Sequence, residues 1–224
     1  MKILHNALTL DQVELFKTYW LNNQKQVQLN WKSKNHFYEW MSKNLDFRLI
    51  IDHQSNEWDI IKNLVFQNFD SKKVKSIYCA YQQQDLPHGL HIDDYKKDFA
   101  DYRYTYIIAL DSIPEFKAII FIEEDHDNNT LSERIQDWGR NKKILSKKND
   151  LSQTQDIDHT IDMNQHAYLA EYLTLDGIFE YQIGNAVLFK ATQIHCSSDW
   201  IKYKKFKHRQ LLQIHVLSEE LLDL

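Results

Sequence analysis

His91 and Asp93 stand two apart in Leu90-His91-Ile92-Asp93, and His195 follows Asp93 by 102 residues, after the apolar run Ala186-Val187-Leu188-Phe189. Arg209 comes 14 residues after His195 and opens Arg209-Gln210-Leu211-Leu212-Gln213-Ile214-His215-Val216. Two neutral imidazoles and one carboxylate occupy one face of a metal such as Fe(II) and leave the other positions open for reactants. Side chains two apart on a strand point the same way, so His91 and Asp93 can converge, with His195 completing the face from another strand end. A buried arginine just beyond the second histidine would hold an organic carboxylate with its planar fork.

The His-x-Asp dyad alone proves little, because chance supplies about one such pair in a chain of this composition. Its context adds the weight. The dyad follows a strand-like run, Val74-Lys75-Ser76-Ile77-Tyr78-Cys79-Ala80-Tyr81, and precedes a second from Tyr102 to Phe121. A third such run ends close to His195, and a fourth begins at Arg209. Alternation sets Thr105, Ile107 and Ala109 against Tyr104, Tyr106, Ile108 and Leu110, and residues 117–122 read as a buried strand. Strands are expected at 167–175, 178–183, 185–190 and 209–217. Alternation from Arg209 places Leu211, Gln213 and His215 on its own face.

With that order on the page, residues 74–217 resemble the 2-oxoglutarate- and Fe(II)-dependent dioxygenase superfamily, in particular its prolyl-hydroxylase-like members. The family pattern is His-x-Asp, a long interval, a distal His after a strand reading like Gly-Asp-x-x-x-Phe, and an Arg about ten residues on. Here that strand is Gly184-Asn185-Ala186-Val187-Leu188-Phe189. The resemblance implies His91, Asp93 and His195 as catalytic iron ligands. It implies Arg209 as partner of the distal 2-oxoglutarate carboxylate, with Tyr81, Tyr104 and Tyr106 as candidate hydroxyl donors to the cosubstrate. It implies Fe(II), 2-oxoglutarate and O2, with ascorbate as a candidate reductant. The implied reaction is hydroxylation of a peptidyl residue, a free amino acid or a small metabolite, with release of succinate and CO2. Three departures stand out: Lys204-Lys205-Phe206-Lys207-His208 where a Gly is frequent, Leu211 where a Ser or Thr is frequent, and Gln82-Gln83-Gln84-Asp85-Leu86-Pro87 in place of a Gly-rich turn.

The remaining elements follow from periodicity and bulk composition. Residues 9–23, capped by Thr9, and residues 34–45 and 55–69, the last capped by Ser55, read as helices. Residues 123–166 are markedly polar, a length of loop that is functional or unanchored. The expectation is one domain of α+β, mainly β class. An N-terminal helical support region (1–73) would pack on a double-stranded β-helix, jelly-roll or cupin-like core (74–217), followed by a short tail (218–224). The 43% hydrophobic and 13% aromatic content can fill such a core. A net charge of −5 carries no basic field that advertises nucleic acid. No stretch approaches the ~20 apolar residues of a membrane span, and residues 1–20 lack a signal-peptide pattern. Two cysteines make no disulfide framework, so a cytoplasmic, reducing setting is expected. Cys79 reads as packing and Cys196 as a small residue beside the site. His88 is a rival ligand, and Trp138 and Trp200 are candidates for the substrate mouth. Two further readings compete: a cupin-like metalloprotein that makes no use of 2-oxoglutarate, and a non-catalytic binding barrel.

Overall fold

The computed structural model describes residues 1–29, 46–84, 93, 103–113, 116–122, 174–198, 208–219 and 221–222. Two helices and ten strands are assigned: β1 (Lys2–Leu4), α1 (Leu10–Asn22), β2 (Gln28–Leu29), β3 (Asp46–Ile50), α2 (Asn56–Phe66), β4 (Val74–Gln84), β5 (Arg103–Ala109), β6 (Lys117–Phe121), β7 (Leu175–Glu180), β8 (Ala186–Lys190), β9 (His195–Ser197) and β10 (Arg209–Ser218). The strands form a seven-stranded sheet, in the order β1-β8-β5-β10-β4-β3-β2, and a three-stranded sheet, β7-β6-β9. All pairings are antiparallel.

Both helices begin where their caps predict. The Thr9 side chain accepts from the Gln12 amide and the Gln12 side chain accepts from the Thr9 amide, a reciprocal box that satisfies two otherwise orphaned donors. Ser55 accepts from the Trp58 amide in the same way at α2. Each helix then turns one apolar stripe onto the large sheet. Val13, Phe16 and Trp20 of α1 and Trp58, Ile61, Leu64 and Val65 of α2 join Leu49, Cys79, Tyr81, Tyr106, Ile108, Leu188, Leu212, Ile214 and Val216 in one core. Fully burying each large apolar side chain there contributes roughly 1.5–3 kcal/mol.

The opposite face of the large sheet meets the small sheet. Ile107, Ala109, Val187, Phe189 and Leu211 pack against Phe116, Ala118, Ile120, Phe179 and Tyr181. The described chain is thus three layers, helices on a large sheet on a small sheet, a mostly β arrangement of jelly-roll-like kind. The turn between β7 and β8 needs glycine. Gly184 has φ +79°, and a Cβ there would lie 2.4 Å from the Leu8 carbonyl oxygen.

Two expectations change. The N-terminal region is not only helical, since β1 pairs with β8, and β2 and β3 extend the other edge. Strands of two to five residues are too short to leave a periodic signature, which is why composition missed them. Gln82, Gln83 and Gln84 are the end of β4 rather than a turn, because ladder pairing to β3 and β10 continues through them. The expected helix at 34–45, His88, and the polar segment 123–166 with Trp138 lie outside the described residues, as does Trp200. No described helix is long and apolar enough to cross a membrane.

Tyr81 tests this layering. Its ring stacks on Trp20 at 4.7 Å, and its hydroxyl is buried without a hydrogen-bond partner among the described residues. An unsatisfied buried hydroxyl costs free energy that phenylalanine avoids, so Tyr81→Phe should raise stability by about 1 kcal/mol in urea unfolding. A loss above that size would show that the hydroxyl has a partner and that this face has been misassigned.

Candidate active site

Register decides which side chains share the face between the sheets. On β10 the buried Arg209 and Leu211 and the partly buried Gln213 alternate with Leu212, Ile214 and Val216, which belong to the helix-side core. Pairing carries the same choice to the neighbours: Gln213 lies opposite Ala80 and Ile107, His215 opposite Tyr78 and Thr105, and Gln82 opposite Leu211. Gln82, Gln84, Thr105, Arg209, Gln213 and His215 therefore project toward the small sheet, where Tyr181 and His195 wait.

Asp93 and His195 meet there. His195 Nδ1 lies 2.9 Å from the Gln193 carbonyl oxygen, which can only accept, so Nδ1 carries a proton and, in the neutral ring, Nε2 is the nitrogen with the lone pair. That Nε2 stands 3.7 Å from Asp93 Oδ1. Bonds of ~2.1 Å to one ion set two ligand atoms roughly 3–4 Å apart, so this pair fits a shared metal. Gln193 is itself fixed: its amide donates to the Phe121 carbonyl and to Asp176. The Asp93 amide donates to the Ala191 carbonyl at 3.1 Å, which ties Asp93 to the end of β8. Among the described residues no group of three metal-ligating side chains occurs. His91, the third expected ligand, lies outside them.

Two hydrogen-bond chains converge on Asp93. In the first, Arg209 Nε donates to Gln84 Oε1 at 2.5 Å, Gln84 Nε2 donates to Gln82 Oε1 at 2.8 Å, Gln82 Nε2 donates to Gln213 Oε1, and Gln213 Nε2 reaches Asp93 Oδ1 at 3.4 Å. A guanidinium only donates and a carboxylate only accepts, so the orientation of all three amides follows from the two ends. In the second chain, Thr105 Oγ1 donates to Asp93 Oδ2 at 2.7 Å. Its single proton is then used, so the 3.1 Å contact to His215 Nδ1 has the imidazole as donor.

Arg209 is 3% exposed. Its Nη1 donates to the Tyr181 hydroxyl at 3.1 Å and its guanidinium lies 5.3 Å from the Tyr181 ring centroid. No carboxylate among the described residues pairs with it. A buried guanidinium with only neutral partners is costly and calls for an anion. Tyr181 is fully buried, which pushes its hydroxyl up, and the neighbouring Arg209 charge partly offsets this. Cys196 lines the same space, and burial pushes its thiol up to about 12, so it sits there as a neutral thiol. The open space among Gln82, Gln84, Tyr181, His195, Arg209 and Gln213 is only about 20 Å³, little more than one water.

The tyrosine assignments need correction. Tyr81 and Tyr106 lie in the helix-side core, and Tyr104 packs against it, its ring 5.0 Å from Phe69. Each sits one residue out of phase with the site face, so none reaches Arg209. The hydroxyl that does so belongs to Tyr181, at the end of β7. The residues that sequence reasoning passed over are Gln82, Gln84, Thr105, Tyr181 and Gln193. Period-two counting outward from Arg209 reaches Gln213 and His215 but gives no register to the other strands.

No protein-family model and no curated protein matches this sequence. Solved structures do share its architecture. A Pseudomonas putida prolyl-4-hydroxylase superposes with a TM-score of 0.52 at 10% identity, covering 98% of this chain and 92% of its own. A prolyl hydroxylase from Trichoplax adhaerens, solved with a hypoxia inducible factor peptide fragment, gives 0.54 at 9% identity, with 97% and 83% covered. The non-heme alpha ketoglutarate dependent epimerase SnoN from nogalamycin biosynthesis gives 0.54 at 10% identity, with 96% and 77% covered. This chain has the fold that these solved structures share.

Proposed function

We propose that this protein is a 2-oxoglutarate- and Fe(II)-dependent oxygenase, hydroxylating a peptidyl residue, free amino acid or small metabolite with release of succinate and CO2. The proposal includes closure of the two sheets into a double-stranded β-helix. One observation carries it: His195 Nε2, facing Asp93 at 3.7 Å, shares a buried face with an arginine that has no carboxylate partner among the described residues. In this reading His91, Asp93 and His195 hold the iron, which supplies activation of O2 when bound. The printed descriptions of the neighbours name a hydroxylase and an epimerase, so the fold alone does not select the reaction; Asp93, a retained carboxylate ligand, favours hydroxylation.

The chain's own residues have separable tasks. Gln193 holds His195 in the tautomer that presents Nε2. Thr105 and Gln213 hold the two oxygens of Asp93. Tyr181 and Gln84 fix the plane of the Arg209 guanidinium, which takes the distal carboxylate of the cosubstrate. With about 20 Å³ free, a dicarboxylate enters by displacing the Gln84 amide. The glutamines are flexible enough to do this, whereas the β-strand backbone beneath them is not.

Succinate formation from 2-oxoglutarate, Fe(II) and O2 is the direct test, and its absence with intact metal binding would favour a cupin-like metalloprotein. Arg209→Lys replaces a fork with a point charge and should weaken 2-oxoglutarate about ten- to a hundred-fold, with Mn(II) affinity unchanged. Calorimetric titration of the Mn(II)-loaded variant measures this, and unaltered affinity removes Arg209 from the site. Thr105→Val keeps the shape but removes the donor to Asp93 Oδ2, so Mn(II) affinity should fall roughly 10–100-fold. Metal binding unchanged in Thr105→Val would mean that Asp93 is not a ligand.

A further inference from the structure

A second arginine shares the site face. Arg48 on β3 lies opposite Gln82 on β4, while its neighbours Phe47 and Leu49 point into the helix-side core. Its guanidinium extends along the sheet toward Tyr78, with Nη1 3.5 Å from the Tyr78 hydroxyl oxygen. That weak contact is its one hydrogen bond among the described residues. No carboxylate among them pairs with it, and its Nε–H is buried with no acceptor. On the neighbouring strand, two residues from Gln82 and on the same face, stands Ala80. Ala80 pairs with Ile50 on one side and Gln213 on the other, and Gln213 reaches Asp93. Two strand spacings separate β3 from β10, so Arg48 stands about 10 Å from the strand that carries Gln213.

The surroundings supply donors for an anion. Tyr78 is half-buried, and burial holds its hydroxyl above the usual range, so it stays a neutral O–H donor. Its oxygen accepts from Arg48, which leaves its proton free to donate. Its ring stacks with His215 at 5.9 Å, giving a flat apolar wall beside the guanidinium. Arg209 is already committed to Tyr181 and Gln84 at the far end of the same face.

Resting on the oxygenase reading, we infer that Arg48 and Tyr78 form a second anion site on the face opposite the helices, which anchors a carboxylate or phosphate group of the primary substrate about 10 Å from β10. The planar fork accepts either group, and the Tyr78 hydroxyl adds a third donor. The substrate is then a small anionic molecule, or a peptide presenting an acidic group, held by its charge while the metal faces a carbon farther along it. Neutral compounds of the same shape would lack the anchor.

Benzoate and phenyl phosphate are suitable probes, because each joins one anionic group to a flat ring that can lie on Tyr78. Each is titrated calorimetrically into the full chain, metal-free and again with saturating Mn(II) and 2-oxoglutarate, for wild type, Arg48→Leu, Arg48→Lys and Tyr78→Phe. At least one probe should bind wild type, about ten- to a hundred-fold more weakly in Arg48→Leu, with an intermediate loss in Arg48→Lys and Tyr78→Phe. The probe that binds tighter tells carboxylate from phosphate. Affinity for 2-oxoglutarate should be the same in Arg48→Leu as in wild type. Equal probe binding in wild type and Arg48→Leu, or no binding of either probe to wild type, overturns the inference. So does a fall in 2-oxoglutarate affinity in Arg48→Leu that Arg209→Lys does not show. Failure of Mn(II) and 2-oxoglutarate to bind wild type would instead overturn the oxygenase reading, while the metal-free titration still decides the anion site.

Discussion

The arrangement of this site depends on one constraint: a buried cation and a buried carboxylate occupy the same sheet face and cannot touch. Arg209 and Asp93 are joined instead by three glutamine amides, each donating in the same direction. A chain of polarised amides in a low-dielectric interior strengthens along its length. Among the described residues Arg209 has no carboxylate partner, and Asp93 faces His195 Nε2 at 3.7 Å. In the oxygenase reading proposed above, a dicarboxylate would pair with Arg209 and a divalent metal would lie between Asp93 and His195.

The fold supplies this geometry through one strand. β10 lies at the centre of the seven-stranded sheet, flanked by β4 and β5, so its period-two alternation is transmitted to both neighbours by register. Its apolar residues Leu212, Ile214 and Val216 lock the sheet to the helices, and that packing holds Arg209 and Gln213 facing the other way. A slip of one residue would exchange the two sets and bury Arg209 among α1 and α2, a state with no partner for its charge. Stability of the helix layer and orientation of the site are therefore set by the same register.

Much of the site was legible as residue types at intervals. The structure sets Asp93 and His195 within 3.7 Å of each other, and Gln213 and His215 share the Arg209 face as alternation from Arg209 implied. The tyrosines were legible as a cluster but not as a face. Alternation shows that Tyr104 and Tyr106 oppose Thr105, yet only the pairing of Thr105 with His215 says that Thr105 has the site side. Tyr181 was invisible for a related reason: it reaches Arg209 from the other sheet, and nothing in a linear pattern reports contacts between sheets. The glutamines at 82–84 read as a turn because polar, unbranched residues seldom build strands. Their amides find partners across the face, and that tertiary pairing overrides the local preference.

Diffraction from crystals of the full chain soaked with Mn(II) and 2-oxoglutarate tests the central claim most directly. A single anomalous peak at ~2.0–2.2 Å from one Asp93 oxygen and His195 Nε2, with the distal carboxylate of 2-oxoglutarate on Arg209 beside Tyr181, is the predicted result. A peak elsewhere, or 2-oxoglutarate bound without contact to Arg209, would contradict it.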